Sequence, residues 1–199
     1  MKLLLIITIL LSFLLISCGY KEIHFIRNPN NFNTLRTINV KIDEKFDKYE
    51  VYEIEKSINN WNYSLNNLIV LKLSDDKFKM NLEDIKNNNN WYIIKIDKTS
   101  DFIPKNTEGF NTVAFVNKIG GNRIYIIDKM VLIDDLLNVT THEIGHLFGL
   151  MHDDINHNSL MYPIYERKTK YCIDNYTINQ LSLKLNVDKD VFNYCIFTN

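Results

Sequence analysis

Hydrophobic residues in the first third of the chain recur at spacings typical of regular secondary structure. Apolar and polar residues alternate over residues 38–42, which predicts a half-buried strand. Over residues 47–67 the apolar side chains fall at steps of three and four, which predicts an amphipathic helix. The apolar positions of this predicted helix are Val51, Ile54, Ile58, Trp61 and Leu65.

Short apolar runs bounded by turn residues follow, as expected for a series of strands. The predicted strands of this region cover residues 68–73, 91–96, 113–116 and 124–127. Gly120, Gly121 and Asn122 lie between the last two runs and indicate a turn.

Two more helices are predicted in the C-terminal third of the chain. A long one covers residues 132–148, and a final one covers residues 177–185 with Thr177 as its N-cap. The order is therefore strand, helix, several strands, helix, irregular segment, helix, with no internal repeat. An α+β fold, with helices packed on one face of a single sheet, is the natural way to bury these apolar faces.

The first seventeen residues have a different composition from the rest. Lys2 is followed by an apolar run, residues 3–16, that only Thr8 and Ser12 interrupt. The run is short for a membrane span and typical of a signal peptide. We therefore predict three parts: a signal peptide over residues 1–17, a polar tether over residues 18–36, and a folded domain over residues 37–199.

The apolar run ends in L-I-S-C-G, which resembles the lipobox of bacterial lipoproteins. That resemblance implies cleavage before Cys18 and acylation of Cys18, which would hold the protein on a membrane surface. An ordinary secretory signal cut near Cys18 is the alternative. Both interpretations predict export, either as a lipoprotein facing the cell surface or periplasm, or as a secreted protein.

Composition and charge narrow the classes of partner. A chain of 199 residues with 46% hydrophobic residues suits one domain with its own core, and we expect a monomer. The formal net charge of -1 gives no electrostatic reason to expect nucleic acid. Cys172 and Cys195 would pair in an oxidising compartment, although two buried free thiols are the alternative.

The segment H-E-I-G-H-L-F-G-L-M-H carries the chemistry. On a helix, His142 and His146 are four residues apart and project from one face. Zinc binds neutral imidazole nitrogens and tolerates three protein ligands with one open position. Glu143 can reach a metal-bound water without becoming a ligand. Gly149 accepts the left-handed backbone that ends a helix, after which His152 can return as the third ligand.

This spacing, H-E-x-x-H-x-x-G-x-x-H, resembles the signature of the metzincin zinc peptidases at all five defining positions. Downstream, S-L-M-Y-P resembles the Met-turn of that clan in the form found in matrixins. The resemblance implies that Met161 lies beneath the zinc without binding it. It also implies a twisted mixed sheet with an active-site helix and a C-terminal helix.

The resemblance implies a zinc endopeptidase with one catalytic ion and a protein or peptide substrate. Glu143 would take a proton from the attacking water and pass it to the leaving amine. We also predict that residues 124–127 form the edge strand that receives an extended substrate. The alternatives are a surface-binding lipoprotein with a structural metal, which the presence of Glu143 disfavours, and a zinc hydrolase of a non-protein amide.

Some matrixin features have no counterpart in this sequence. We find no cysteine-containing inhibitory prosegment ahead of the domain. Matrixins carry a second, histidine-bound zinc, but here the only histidine before His142 is His24 in the predicted tether. We therefore expect no such second zinc, and calcium remains open without a ligand set that we can name.

Several residues near the motif have two interpretations each. Glu166 is a rival third ligand, and His157 is more typical of a solvated loop residue. Asp153 could cap the turn after His152 or accept a hydrogen bond from a ligating imidazole. Tyr162 and Tyr165 could form walls of a substrate pocket or pack as ordinary aromatic residues.

Overall fold

The computed structural model describes residues 22–27, 36–75, 78–79, 89–104, 112–164 and 172–198. The predicted signal peptide, Cys18, Tyr165 and Glu166 lie outside the described residues. Within the described ranges, no helix is both long enough and apolar enough to cross a membrane.

The described strands and helices follow the order expected from the sequence, with additions at both ends. The strands are β1 (Glu22–Ile26), β2 (Arg36–Ile42), β3 (Ile69–Leu73), β4 (Trp91–Ile96), β5 (Ala114–Val116), β6 (Arg123–Ile127) and β7 (Tyr194–Thr198). The helices are α1 (Lys48–Leu65), α2 (Ile133–Leu147) and α3 (Asn175–Leu185), with a 3-10 turn at Lys189–Val191.

Five strands form one mixed sheet in the order β3-β2-β4-β6-β5. The pairs β2–β3, β2–β4 and β4–β6 are parallel, and β5 pairs antiparallel with β6. The main core lies between one face of this sheet and the helices, and it includes Ile38 and Ile93 from the strands and Ile54 and Ile144 from the helices. The predicted α+β fold is therefore confirmed.

The predicted edge position of residues 124–127 is wrong. Strand β6 lies between β4 and β5, so its backbone is paired on both sides. All four side chains over residues 124–127 are buried, as is typical of a strand covered on both faces. The strand at this end of the sheet is β5, Ala114–Val116.

Residues 22–26, inside the predicted tether, form a strand. Strand β1 pairs antiparallel with β7, in a register that joins Glu22 to Thr198. Neither strand was predicted, because each depends on a partner at the other end of the chain and local periodicity does not reveal such a pairing. The two strands form a separate ribbon beside the main sheet.

Helix α1 has strong sequence signals at both ends and supports the active-site region. Asp47 accepts hydrogen bonds from two backbone amides of the first turn, and Glu50 completes a capping box. Asn66 ends the helix in the left-handed region, with φ of 47°. Trp61 is fully buried against Phe148, with ring centroids 5.0 Å apart. The long helix predicted over residues 132–148 is confirmed as α2.

The predicted N-cap of the last helix is wrong. Helix α3 begins at Asn175, and Asp174 is its cap, accepting hydrogen bonds from the amides of Tyr176 and Thr177. Thr177 lies inside the first turn, where its Oγ1 donates to Asp174 Oδ2 at 2.8 Å. A carboxylate has two oxygens, so Asp174 can cap the helix and bind a second segment.

Cys172 and Cys195 are joined by a disulfide, with Cα atoms 6.1 Å apart. Both residues are buried, and the Cys195 amide also donates to the Ile173 carbonyl at 3.2 Å. The predicted pairing of Cys172 with Cys195 is therefore found, and not the alternative of two free thiols. The disulfide attaches the residues just before α3 to β7.

Candidate metal centre

Three histidines converge at the C-terminal end of α2. His142 and His146 lie one turn apart on the helix, and His152 follows it, with potential ligand atoms of all three within 4.8 Å of one another. His146 Nε2 and His152 Nε2 are 3.1 Å apart. In a tetrahedral zinc site with bonds of about 2.0–2.1 Å, two ligand nitrogens lie roughly 3.3 Å apart. The three imidazoles therefore fit a shared zinc ion.

Backbone carbonyls set the orientation of two of these rings. His142 Nδ1 lies 2.7 Å from the Leu160 carbonyl oxygen, and His146 Nδ1 lies 2.8 Å from that of Leu150. A carbonyl can only accept, so each Nδ1 carries the proton and donates it. The lone pair of each neutral ring is then on Nε2, which is the atom available to a metal.

Burial favours the neutral form of two of the imidazoles, those of His146 and His152. Burial lowers the pKa of His146 to about 4, although the Leu150 carbonyl opposes this shift. Burial also lowers the pKa of His152, with the Asp154 carboxylate acting in the opposite direction. Metal binding requires the neutral imidazole, so neither ring has to lose a proton at neutral pH.

The turn after α2 brings His152 back towards the helix. Gly149 has φ of +88°, in the left-handed region that glycine adopts at least cost. Its amide donates to the His146 carbonyl at 3.0 Å, and the Leu150 amide donates to the Gly145 carbonyl at 3.1 Å. These two bonds are those of a Schellman motif. A Cβ at position 149 would lie 2.6 Å from Lys184 Cε, which is near the end of a flexible side chain, so the positive φ is the main reason for glycine here.

The dipeptide Leu160–Met161 connects the ligand segments. The Leu160 amide donates to Asp174 Oδ2 at 2.7 Å, and its carbonyl accepts from His142. The Met161 carbonyl accepts from the amide of Asp153 at 2.9 Å, directly after His152 in the sequence. The dipeptide is thereby hydrogen-bonded to one histidine ring and to the chain that carries another.

The Met161 side chain is fully buried against the backbone of α2. A Cβ at Gly145 would lie 2.5 Å from Met161 Sδ, so the sulfur occupies the space that a larger residue at 145 would need. The close packing at Gly145 was not predicted from the sequence. A glycine inside a helix costs about 1 kcal/mol relative to alanine, and that local cost is the signal that could have identified it.

Glu143 is buried, and its Oε2 has no hydrogen-bond partner among the described residues. Burial raises the pKa of Glu143 to about 8. A buried carboxyl oxygen without a partner is costly, so such an atom normally has a solvent molecule or ligand beside it. The position of Glu143, one residue after His142, puts this atom on the helical turn that carries two of the histidines.

The remaining residues singled out from the sequence have structural contacts. Asp153 Oδ1 accepts hydrogen bonds from the amides of Ile155 and Asn156, so Asp153 caps the loop that follows His152. His157 is exposed and packs on Tyr162, with ring centroids 4.3 Å apart, and it is not part of the histidine cluster.

Further metal sites gain no support from the structure. Among the residues that the structure describes, the one group of three or more histidine, cysteine or acidic residues close enough to share an ion is His142, His146 and His152. Calcium, which the sequence left open, gains no ligand set among the described residues.

Comparison with known proteins identifies the family. Residues 37–182, more than half of the chain, match the family model described as Matrixin. The chain belongs to the matrixin family. Of 105 matching chains of solved structure, one is archaemetzincin from Methanopyrus kandleri, at 14% identity and a TM-score of 0.52. That match covers 77% of this chain and 96% of the archaemetzincin chain. A search of curated proteins found no match.

The matrixin family match confirms the metzincin resemblance that the motif predicted. At 14% identity, the archaemetzincin match shows a shared fold and no more. Membership in the matrixin family supports a zinc metallohydrolase, and His142, His146 and His152 are the residues that could hold the ion.

Proposed function

We propose that this matrixin is a zinc endopeptidase in which His142, His146 and His152 hold the ion and Glu143 is the general base. The observation that carries the proposal is the unpartnered, buried Oε2 of Glu143, a residue on the same helical turn as His142 and His146. A metal that only stabilised the fold would not require a buried carboxyl group without a hydrogen-bond partner on the same helical turn. A purely structural zinc site would more often be closed by a fourth protein ligand.

A zinc ion at this site would supply a Lewis acid that lowers the pKa of a bound water towards about 7 and polarises a substrate carbonyl. Glu143 accepts the proton of the attacking water at its carboxylate. The same oxygen then donates that proton to the nitrogen of the leaving amine. Such transfers are most efficient when the pKa of the carboxyl group lies near the working pH.

Strand β5 is the surface on which we propose that an extended peptide binds. In the β5–β6 ladder, the Asn117 amide donates to the Arg123 carbonyl, and the Ile127 amide donates to the Val113 carbonyl. Since alternate residues of an antiparallel strand point to opposite sides, the amides of Ala114 and Val116 face away from β6. A substrate strand can pair with those amides, with side-chain pockets supplying specificity.

Proline at position 116 tests this binding mode, because proline is tolerated where a strand amide faces outwards but cannot donate there. We expect Val116→Pro to raise KM for extended peptides and to leave zinc content unchanged. An unchanged KM for a series of lengthened peptides would contradict pairing along β5.

The central test of the proposed function is Glu143→Gln, which keeps the shape of the side chain and removes the base. We expect zinc content equal to that of the wild type and a fall in peptide cleavage on the order of 10³-fold or more. The matched control is Glu44→Gln, because Glu44 is exposed and remote in sequence from the motif. Mass spectrometry of the products distinguishes internal cleavage from trimming of the ends.

Two outcomes would contradict the endopeptidase. Full activity in Glu143→Gln would exclude Glu143 as the base. A zinc-loaded wild type that cleaves non-protein amides, such as cell-wall crosslinks, but no peptide in a mixed library would move the substrate to another class. Chelation of the metal in the wild type should abolish cleavage in either case.

We also propose export and lipid anchoring at Cys18, supported by the lipobox-like segment of the sequence. Metabolic labelling with a fatty acid, followed by detergent partition, tests the anchor. The Cys18→Ala variant should lose the label and leave the detergent phase. Labelling that persists in this variant would contradict acylation at Cys18.

A further inference from the structure

A continuous series of contacts connects the disulfide to His142, although the two are far apart in the sequence. It runs from the Cys172–Cys195 disulfide through Asp174 to the backbone of Leu160, and from Leu160 to the His142 ring. We call Asp174, Leu160 and the disulfide the brace. Helix geometry fixes the Cα position of His142, and the brace contacts its Nδ1 through the Leu160 carbonyl.

Asp174 is the central residue of the brace. It is 6% exposed, and its carboxylate accepts four hydrogen bonds within 3.0 Å. Oδ1 accepts from the amides of Tyr176 and Thr177 and so caps α3. Oδ2 accepts from the Leu160 amide at 2.7 Å and from Thr177 Oγ1 at 2.8 Å. Oδ1 therefore binds only to α3, whereas Oδ2 joins α3 to the dipeptide Leu160–Met161.

The segment that carries Asp174 is itself attached to β7. Cys172 lies two residues before Asp174 and is bonded to Cys195. The Cys195 amide donates to the Ile173 carbonyl at 3.2 Å, and Asp174 forms an isolated bridge with Cys195. A covalent bond and a backbone hydrogen bond thus limit the movement of Asp174 relative to β7.

We propose that Asp174, anchored by the disulfide, is a positioning residue for the zinc site. Its Oδ2 holds the Leu160 peptide so that the Leu160 carbonyl keeps His142 in the tautomer and orientation that direct Nε2 to the metal. The same hold extends to the Met161 carbonyl and the Asp153 amide, next to His152. This inference rests on the proposed role of the histidines as zinc ligands.

The variant Asp174→Asn separates capping from positioning. Asparagine caps helices about as well as aspartate, so Oδ1 can keep its bonds to α3. Its NH2 group replaces Oδ2, however, and would present a donor to the Leu160 amide, which is also a donor. The variant is therefore expected to fold and to lose the bond to Leu160 specifically.

The matched control is Asp47→Asn, the same substitution at the N-cap of α1. Asp47 accepts from the amides of Tyr49 and Glu50 and has no contact with the dipeptide Leu160–Met161 among the described bonds. A change that appears in Asp174→Asn and not in Asp47→Asn is then due to the contact with Leu160, not to weakened capping.

The measurements are the zinc dissociation rate, the absorption spectrum of the cobalt-substituted protein, and kcat and KM on one peptide. We expect Asp174→Asn to release zinc at least about tenfold faster, the magnitude typical of lost outer-shell contacts. The cobalt bands should change in position or intensity, and kcat should fall with KM within about twofold. Asp47→Asn should match the wild type in all of these.

A folded Asp174→Asn variant with wild-type zinc dissociation and cobalt spectrum would overturn the proposal. Where that variant does not fold, Asp174→Ser keeps one capping oxygen and lacks the second, and the same outcomes apply to it. A wild type that binds no zinc would instead refute the proposed function, so the two failures are distinguishable.

The contribution of the disulfide to slow zinc release is measured in the double variant Cys172→Ser with Cys195→Ser. We expect faster zinc release than in the wild type but slower than in Asp174→Asn, because the bond from the Cys195 amide to Ile173 can persist. Zinc release equal to that of the wild type would overturn the anchoring role of the disulfide.

Discussion

Helices α1 and α2 pack against each other in the same core, yet their sequences define them in different ways. Helix α1 has a capping box from Asp47 and Glu50 at its start and a left-handed Asn66 at its end. These local signals mark where the helix begins and ends without reference to the rest of the fold. Helix α2 has the left-handed Gly149 beyond its end, but its N-cap is Leu132, whose side chain makes no capping hydrogen bond.

The interior of α2 is also unfavourable for a helix. Thr140, Thr141 and Gly145 have low helix propensity and are buried. Tertiary contacts compensate, since Trp61 Nε1 donates to the Thr141 carbonyl at 2.9 Å and Thr141 Oγ1 lies 3.1 Å from Ser57 Oγ. The helix that carries the histidines is therefore positioned by its neighbours, whereas the ends of α1 are defined by its own sequence and α1 provides part of the support.

The strongest test of this contrast compares the effect on stability of one alanine substitution in α2 with that of one in α1. Gly145→Ala should destabilise the protein by about 2 kcal/mol, because the added methyl group collides with Met161 Sδ. Helix propensity alone predicts the opposite sign. The control Asn59→Ala, at an exposed position of α1, should be neutral or slightly stabilising. Urea unfolding of the zinc-loaded proteins measures both, and a stabilised Gly145→Ala variant would contradict tertiary control of α2.

The second prediction concerns the pH dependence of the metal-free protein. The pKa of Glu143 rises from 4.5 to about 8 on folding, so its stabilising contribution is present below about pH 4.5 and is lost as the pH rises through 8. Glu143→Gln should therefore be more stable than the wild type at about pH 9, on the order of 2 kcal/mol, and similar to it at about pH 4.5.

The titration of the histidines does not interfere with that difference. The pKa of His146 is lowered from 6.5 to about 4, so its contribution is present above pH 6.5 and is lost towards pH 4 in both proteins alike. Urea titrations in the presence of a chelator give the two stability profiles. A constant difference across this range would show that Glu143 stays ionised in the metal-free protein.

The third prediction removes the cap of α1. Asp47→Ala should lower the melting temperature by a few degrees, because the amides of Tyr49 and Glu50 lose their acceptor. The zinc dissociation rate should not change, since α1 supports α2 through Ser57 and Trp61, about three and four turns further along. Faster zinc release in this variant would show that the start of α1 also positions the metal site.

The smallest expected effect comes from adding a cap to α2. Leu132 has the extended backbone of an N-cap and a side chain that is 53% exposed. Leu132→Ser should therefore stabilise the protein by roughly 0.5–1 kcal/mol without changing activity. Calorimetry measures the stability and a peptide assay measures the activity. A destabilised variant would mean that the Leu132 side chain packs more than its exposure indicates.

The same contrast explains what could be predicted from the sequence. The spacing of His142, His146, Gly149 and His152 is local, so the residues of the candidate metal centre could be identified without a structure. The cap of α3 could not, because Asp174 and Thr177 are both acceptable caps and the choice depends on Leu160, a tertiary partner. The edge of the sheet was assigned to the wrong strand for a similar reason, since the pairing of β6 with β4 is non-local.

The ribbon of β1 and β7 would limit how far the domain extends from a membrane if the protein is anchored at Cys18 as proposed. The ribbon begins at Glu22, only four residues after Cys18. Four residues of fully extended chain span roughly 14 Å. If Cys18 is acylated as proposed, this four-residue linker would hold the ribbon close to the lipid headgroups. The accessible substrates would then be those that approach the membrane surface, because so short a linker would keep the active site from reaching substrates far from the membrane.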